Sequence, residues 1–219
     1  MKILEHKDTN EFAYLIGMIA TDGCVIWKGK TKSAKDDRCS ITQHTKNIQM
    51  LNEMKRVFGG NVYSEKTRSS SVWRTKDTEF VTFLRSIGFK ENKTFTLNLD
   101  SWFDSITDIQ KIYFVRGVLD GDGNVFYDKR SNVHHKISIF SASKSFITML
   151  AKYFNNSKIY TQNAKGKFKG YKIVFNSSKC IGPFEDVFSL PSSKMFIQYK
   201  EDSYIKIKEH YNGRSKRSV

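Results

Sequence analysis

The apolar residues of the chain fall into two successive copies of one pattern. A run that is hydrophobic nearly all round, FAYLIGMIATDGCV (12–25), leads into two segments of β character, CVIWKGK and DRCSITQHT. A helical pattern follows, NIQMLNEMKRVFG, then the strand candidates NVYSEKTRSS and SVWRTK, and a closing helix, TEFVTFLRSIGF. The same order returns as IYFVRGVLDGDGNV (112–125), NVFYDKR, HHKISIFSAS, SFITMLAKYFNN, KIYTQNAKGK, GYKIVFNS and IGPFEDVFSL. Self-similarity at a fixed period predicts a repeat architecture. Lys136, Ser138 and Phe140 alternate with Ile137 and Ile139, as expected of a sheet with one face on helices and the other open. The predicted fold class is α+β, with two pseudosymmetric αββαββα repeats of antiparallel strands. The first repeat spans 1–93 and the second 109–202, joined by a linker at 94–108, TFTLNLDSWFDSITD; a C-terminal helix around Ser203 to Tyr211 and a basic tail complete 203–219. Two similar halves in one chain imply a pseudo-twofold arrangement and a monomer.

Charge narrows the partner. Among 219 residues, 37 are Lys or Arg against 22 Asp or Glu, a formal charge of +15, which points to a polyanion such as nucleic acid. The basic residues are scattered and form no amphipathic Lys/Arg-rich segment, so no membrane surface is expected as partner. No apolar stretch reaches the length of a membrane span, and MKILEHKDTNEF has neither a signal-peptide core nor a transit-peptide composition. Cys24, Cys39 and Cys180 are odd in number and lack a CxxC or Cys/His spacing, so neither a disulfide framework nor a zinc site is predicted.

The opening helices carry the chemistry. Gly17 and Thr21 in the first, and Gly117 and Gly121 in the second, place small residues four apart on one face, where two helices can approach closely. Asp22 and Asp122 come next, each followed by a glycine suited to a left-handed helix stop. An acid at a helix C-terminus is unfavourable by about 0.3 to 1 kcal/mol, and pairing the helices brings two such acids together. A single Asp-Gly is an ordinary turn. Two copies on equivalent small-faced helices point instead to a divalent cation held by carboxylates and backbone carbonyls.

LIGMIATDG (15–23) and VRGVLDGDG (115–123) resemble the two motifs of a monomeric, two-motif LAGLIDADG homing endonuclease, and the αββαββα repeat resembles that family's core over roughly 11–200. The first motif departs from the consensus in carrying Ala20 where the second has Asp120. The resemblance implies a site-specific endonuclease that makes a staggered double-strand break with 3′ overhangs in a long DNA target. It also implies an intron-borne or free-standing mobile gene. Asp22 and Asp122 would bind catalytic Mg²⁺, with Mn²⁺ able to substitute, and Thr21 and Gly121 adjoin them as further metal-binding candidates. Lys93 in ENKTF and Lys194 in PSSKMF, 101 residues apart, would stand near the cleaved phosphates, and Gln43 would order the attacking water, with Ser141 as its approximate counterpart. The expected setting is intracellular: the cytoplasm or nucleoid of a bacterium or phage-infected cell, or an organelle. The start at Met1 and the end KRSV lack the marks of an intein.

Paired sheets would form a DNA-binding saddle along the major groove of double-stranded DNA. By alternation, Arg38, Ser40, Lys66, Arg68 and Arg74 face outward in the first half, and Lys136, Ser138, Asn163, Lys165 and Lys172 in the second. The tryptophans and the equivalently placed Tyr63 and Tyr160 read as core or sheet packing. Two other functions fit the same fold: a maturase that binds intron RNA, and a nuclease-inactive DNA-binding regulator. Retention of both aspartates argues against the regulator.

Overall fold

The computed structural model describes residues 2–28, 36–65, 68–90, 93–129, 135–164 and 167–215. After a 3-10 turn at Ile3–His6, the first repeat runs α1 (Asn10–Asp22), β1 (Gly23–Ile26), β2 (Arg38–His44), α2 (Ile48–Phe58), β3 (Asn61–Glu65), β4 (Ser70–Thr75) and α3 (Thr78–Ser86). Two short helices, α4 (Lys93–Thr96) and α5 (Asp100–Ser105), precede the second repeat. This comprises α6 (Asp108–Asp122), β5 (Gly123–Phe126), β6 (Lys136–Ser141), α7 (Lys144–Tyr153), β7 (Ile159–Ala164), β8 (Lys167–Asn176) and α8 (Glu185–Phe188), and α9 (Gln198–Ser215) ends the described chain.

Each repeat folds into a four-stranded antiparallel sheet, in the orders β1-β2-β4-β3 and β5-β6-β8-β7. The registers match: Gly23 pairs with Ile41 as Gly123 does with Ile139, and Ile41 pairs with Trp73 as Ile139 does with Ile173. On the inner faces Ile41, Trp73, Ile137, Ile139 and Ile173 are buried beneath the helices, in one continuous hydrophobic core. The period-two alternation thus holds over Lys136–Phe140.

Both central helices start on a threonine. Thr9 Oγ1 accepts the Phe12 amide, and Thr107 forms a capping box with Gln110, so orphan N–H groups of the first turn are satisfied. From there α1 and α6 run against each other. A methyl group on Gly17 would stand 2.2 Å from the Phe114 carbonyl oxygen, and one on Gly117 would stand 2.3 Å from that of Tyr14. The helices touch backbone to backbone, through the same residue of each repeat. One turn further on, Gly121 opposes Thr21, whose Oγ1 would lie 1.9 Å from a methyl there.

Two expectations change. The segment at 94–108 is no free linker, because Leu97, Leu99 and Phe103 are buried in the core and Leu97 O accepts a hydrogen bond from Ser143 Oγ at 2.6 Å. The C-terminal helix begins at Gln198, earlier than Ser203, with Tyr204 and Ile207 as its buried contacts. Its sequence is otherwise polar on most sides, so periodicity does not mark its start.

Gly17→Ala and Gly117→Ala should each destabilise the protein by about 3 kcal/mol or more, since a methyl group there meets unyielding backbone. Urea titration followed by circular dichroism measures this; an unchanged midpoint in both variants would exclude the close approach.

Candidate active site at the paired helix ends

Asp22 and Asp122 are the last helical residues of α1 and α6, and each chain then passes directly into a strand. Gly23 (φ −80°, ψ 148°) and Gly123 (φ −75°, ψ 142°) are extended, so the expected left-handed stop is absent. The glycines serve a steric need. A methyl at Gly23 would lie 2.5 Å from Cα and O of Ile19, and one at Gly123 would lie 2.4 Å from Leu119 O. Only glycine lets the chain leave the last turn so abruptly, which keeps each carboxylate at the junction of its helix and sheet.

Two lysines supply the cations that these helix ends require. Lys93 Nζ donates to the carbonyls of Ala20 (3.0 Å) and Thr21 (2.9 Å). Lys200 Nζ donates to those of Leu119 (2.6 Å), Asp120 (2.7 Å) and Gly121 (3.3 Å). Each ammonium thereby caps the negative end of one central helix. Burial pushes both lysines down, Lys200 to about 8, against the pull of the nearby aspartates. Burial, then repulsion from Asp122, raises the Asp22 carboxyl to about 6. Asp122 has an open side to solvent but is also raised, by partial desolvation.

The two half-sites differ in their neighbours. Gln43 Nε2 donates to Asp22 Oδ2, and its own Oε1 accepts from Asn47 Nδ2 at 3.0 Å, which fixes the amide orientation. The sheet registers put Ser141 at the equivalent position, where its Oγ accepts from the Ser143 amide (3.1 Å).

Residues 110–187 match the model of the LAGLIDADG-like domain. No curated protein sequence matches the chain. Among solved structures, the LAGLIDADG homing endonuclease I-GzeII in complex with its DNA target aligns with a TM-score of 0.61 and 12% identity, over 92% of this chain and 91% of that one. I-SmaMI bound to uncleaved DNA target in the presence of calcium ions aligns at 0.58 and 14%, over 92% of each chain. Mesophilic variants of the homing endonuclease I-DmoI align at 0.58 and 18%, over 83% of this chain and 96% of that one. The chain has the LAGLIDADG fold.

Within that fold the other residues singled out in the sequence fall in different places. Lys194 is not at the helix ends; it lines a cavity with His6, Glu11, Glu53 and Arg56, and the lysine at the second helix end is Lys200. The 101-residue spacing misled because it assumed equal closing segments, whereas the second repeat inserts the stretch 191–197 before α9. Lys66 and Lys165 lie outside the described residues. Arg68 is exposed in the turn before β4. Ser40 pairs with Arg74 on the outer face of the first sheet, with Arg38 further along β2. On the second sheet Lys136 and Ser138 pair with Asn176 and Val174, and Lys172 lies between Phe140 and Tyr160, with Asn163 exposed on β7.

Tyr63 and Tyr160 hold equivalent positions on the outer faces, 51% and 41% exposed, so they are not core residues. Each carries a cation, Arg74 at 5.6 Å from the Tyr63 ring and Lys158 at 5.2 Å from that of Tyr160.

The helix ends suit a hard divalent cation. Their donors are all oxygen: the carboxylates of Asp22 and Asp122 with the carbonyls of Thr21 and Gly121 beside them. The Thr21 hydroxyl is turned back to its own helix, on the carbonyls of Gly17 and Met18 (both 3.1 Å). Among the described residues no group of three or more His, Cys, Asp or Glu gathers anywhere. A site with so few protein ligands suits a divalent ion that keeps several waters in its coordination shell.

The raised Asp22 carboxyl makes a stability prediction. Above pH 6 the folded state carries an ionised, partly buried acid that the unfolded state solvates freely. As pH falls through 6, the folded state takes up a proton that the unfolded state binds only near 4, so this group then favours folding. In EDTA, Asp22→Asn should therefore stabilise the protein at pH 7.5 by about 2 kcal/mol, and lose that advantage towards pH 4.5. Thermal melts across this range, repeated with Ca²⁺, should show the wild type gaining more from the ion.

Proposed function

We propose that the protein is a divalent-metal-dependent, site-specific DNA endonuclease that makes a staggered double-strand break with 3′ overhangs in a long target. One observation carries this reading: the fold converges two carboxylates, one from each repeat, at touching helix ends between two sheets whose outer faces bear cations. A twofold-related pair of carboxylates suits two scissile phosphates, one per strand, across the minor groove. The DNA-bound state of I-GzeII and I-SmaMI supports the same partner. A Mn²⁺-containing I-DmoI complex with nicked target DNA supports a divalent ion.

A bound divalent ion would supply Lewis acidity and a hydroxide-like nucleophile near neutral pH. The residues do the rest. Asp22 and Asp122 hold the ion. Gln43, anchored by Asn47, orients the Asp22 carboxylate and offers its amide to an attacking water. Lys93 and Lys200 offset the charge that grows on the phosphoryl oxygens. On the outer faces Arg38, Ser40, Arg74, Lys136, Ser138, Asn163 and Lys172 meet the phosphates and base edges along the major groove.

With Mg²⁺, the purified protein should cut a target selected from a random duplex library at one position. Asp22→Asn and Asp122→Asn should each abolish cutting while binding persists; unchanged cleavage in both would refute the site. Affinity measured by fluorescence anisotropy should fall steeply with salt, with a log–log slope of about −0.9 for each phosphate neutralised. A flat profile would exclude the sheets as the binding surface.

A further inference from the structure

Lys200 belongs to a buried polar network with no counterpart around Lys93 among the described residues. Asp120, 1% exposed, accepts from Arg116 Nε (3.2 Å) and from the Ile197 amide (3.0 Å). The Tyr14 hydroxyl, which comes from the other repeat, lies 2.9 Å from Asp120 Oδ2 and 2.6 Å from the Met195 carbonyl, its one proton shared between them. Arg116 also donates to Glu201 (3.2 Å), and its guanidinium packs on Phe188 (4.9 Å) and Phe196 (4.4 Å). The segment 195–201 is thus tied at Met195, Ile197 and Glu201, and Lys200 lies inside it, its amide bonded to Ile197 O at 3.2 Å.

At the same helix positions of the other half stand Ile16 for Arg116, Ala20 for Asp120 and Phe114 for Tyr14. All three are buried and apolar, so close packing of the central helices does not need polar groups there. Buried ions carry a desolvation cost that apolar residues avoid, so such a network is better explained by the geometry it fixes than by stability. Among the described residues, what is present only on the Asp120 side is the irregular stretch 191–197 that leads into α9 and Lys200. Lys93 instead sits in the four-residue helix α4 and reaches two carbonyls, where Lys200 reaches three.

We propose that Asp120 is a positioning residue: through Ile197 and the Arg116–Glu201 pair it sets the start of α9, and so the place of Lys200, making cleavage of one DNA strand depend on it and cleavage of the other independent of it. This rests on the endonuclease reading above. Without the carboxylate the Ile197 N–H loses its acceptor and the first turn of α9 is free to shift, and a displacement of about 1 Å at a reacting centre costs about 100-fold in rate.

The test is single-turnover cleavage with Mg²⁺ of a duplex carrying a different fluorophore on each strand, together with amide hydrogen exchange at 197–201 in metal-free, DNA-free protein. Asp120→Ala should slow one strand by about 100-fold, leave the other strand's rate unchanged, and accelerate exchange at 197–201. The double variant Arg116→Ile with Asp120→Ala gives the second central helix the residues already found in the first, removes the orphaned guanidinium, and should show the same strand bias. Lys200→Met should slow that same strand, and adding Asp120→Ala to it should slow cutting no further, whereas Lys93→Met should act on the other strand. Equal slowing of both strands, no slowing, or full additivity with Lys200→Met would overturn the proposal. Unaltered cleavage in Lys200→Met would also overturn it. If the wild type itself cuts neither strand, the endonuclease reading fails, and exchange then decides alone: unchanged exchange in both Asp120 variants overturns the role of Asp120.

Discussion

The backbone contact between α1 and α6 is the constraint on which the rest depends. Gly17 and Gly117 each admit a carbonyl oxygen of the partner helix where a side chain would otherwise stand. Because the contact uses equivalent residues, it sets the pseudo-twofold axis between the repeats, and both helices must end at the same level. The carboxylates converge for that reason. Burial raises both carboxyls, and for Asp22 the nearby Asp122 adds to it; ammonium groups on the carbonyls one residue away offset the charge. The cost of gathering like charge is the usual sign of a site built for a cation or a polyanion.

Much of this was legible in the chain itself. Element types and order follow from apolar periodicity that recurs twice, and the glycine face follows from small residues at the same register of both copies. Gln43 and Ser141 could be matched because each lies towards the end of the second strand of its repeat, two residues past the partner of the motif's last glycine. Lys200 could not, since the count breaks in the irregular stretch 191–197, which obeys no periodicity. A lysine that reaches helix-end carbonyls from a distant segment leaves no local mark. The geometry of Gly23 and Gly123 was hidden for a different reason. Glycine is compatible both with a left-handed stop and with a crowded exit, and only the position of Ile19 and Leu119 tells which applies.

Approximate symmetry hides real chemical inequality. One half-site has a carboxamide on its aspartate and a lysine bonded to two helix-end carbonyls; the other has a serine turned to its own backbone and a lysine of α9 bonded to three. The outer faces differ as well. The first sheet sets Ser40 between Cys24 and Arg74, while the equivalent row of the second sets Ser138 between Asn124 and Val174. Two outer faces of unlike chemistry suit a partner without twofold symmetry.

The Tyr14–Asp120 contact has a consequence for how the molecule could have been assembled. A homodimer of second repeats would oppose each buried Asp120 with Phe114, which offers no hydroxyl, and a homodimer of first repeats would lack the acid altogether. Neither half can reproduce the network by self-association. The repeats have diverged into complementary parts, and each needs the other to complete the network.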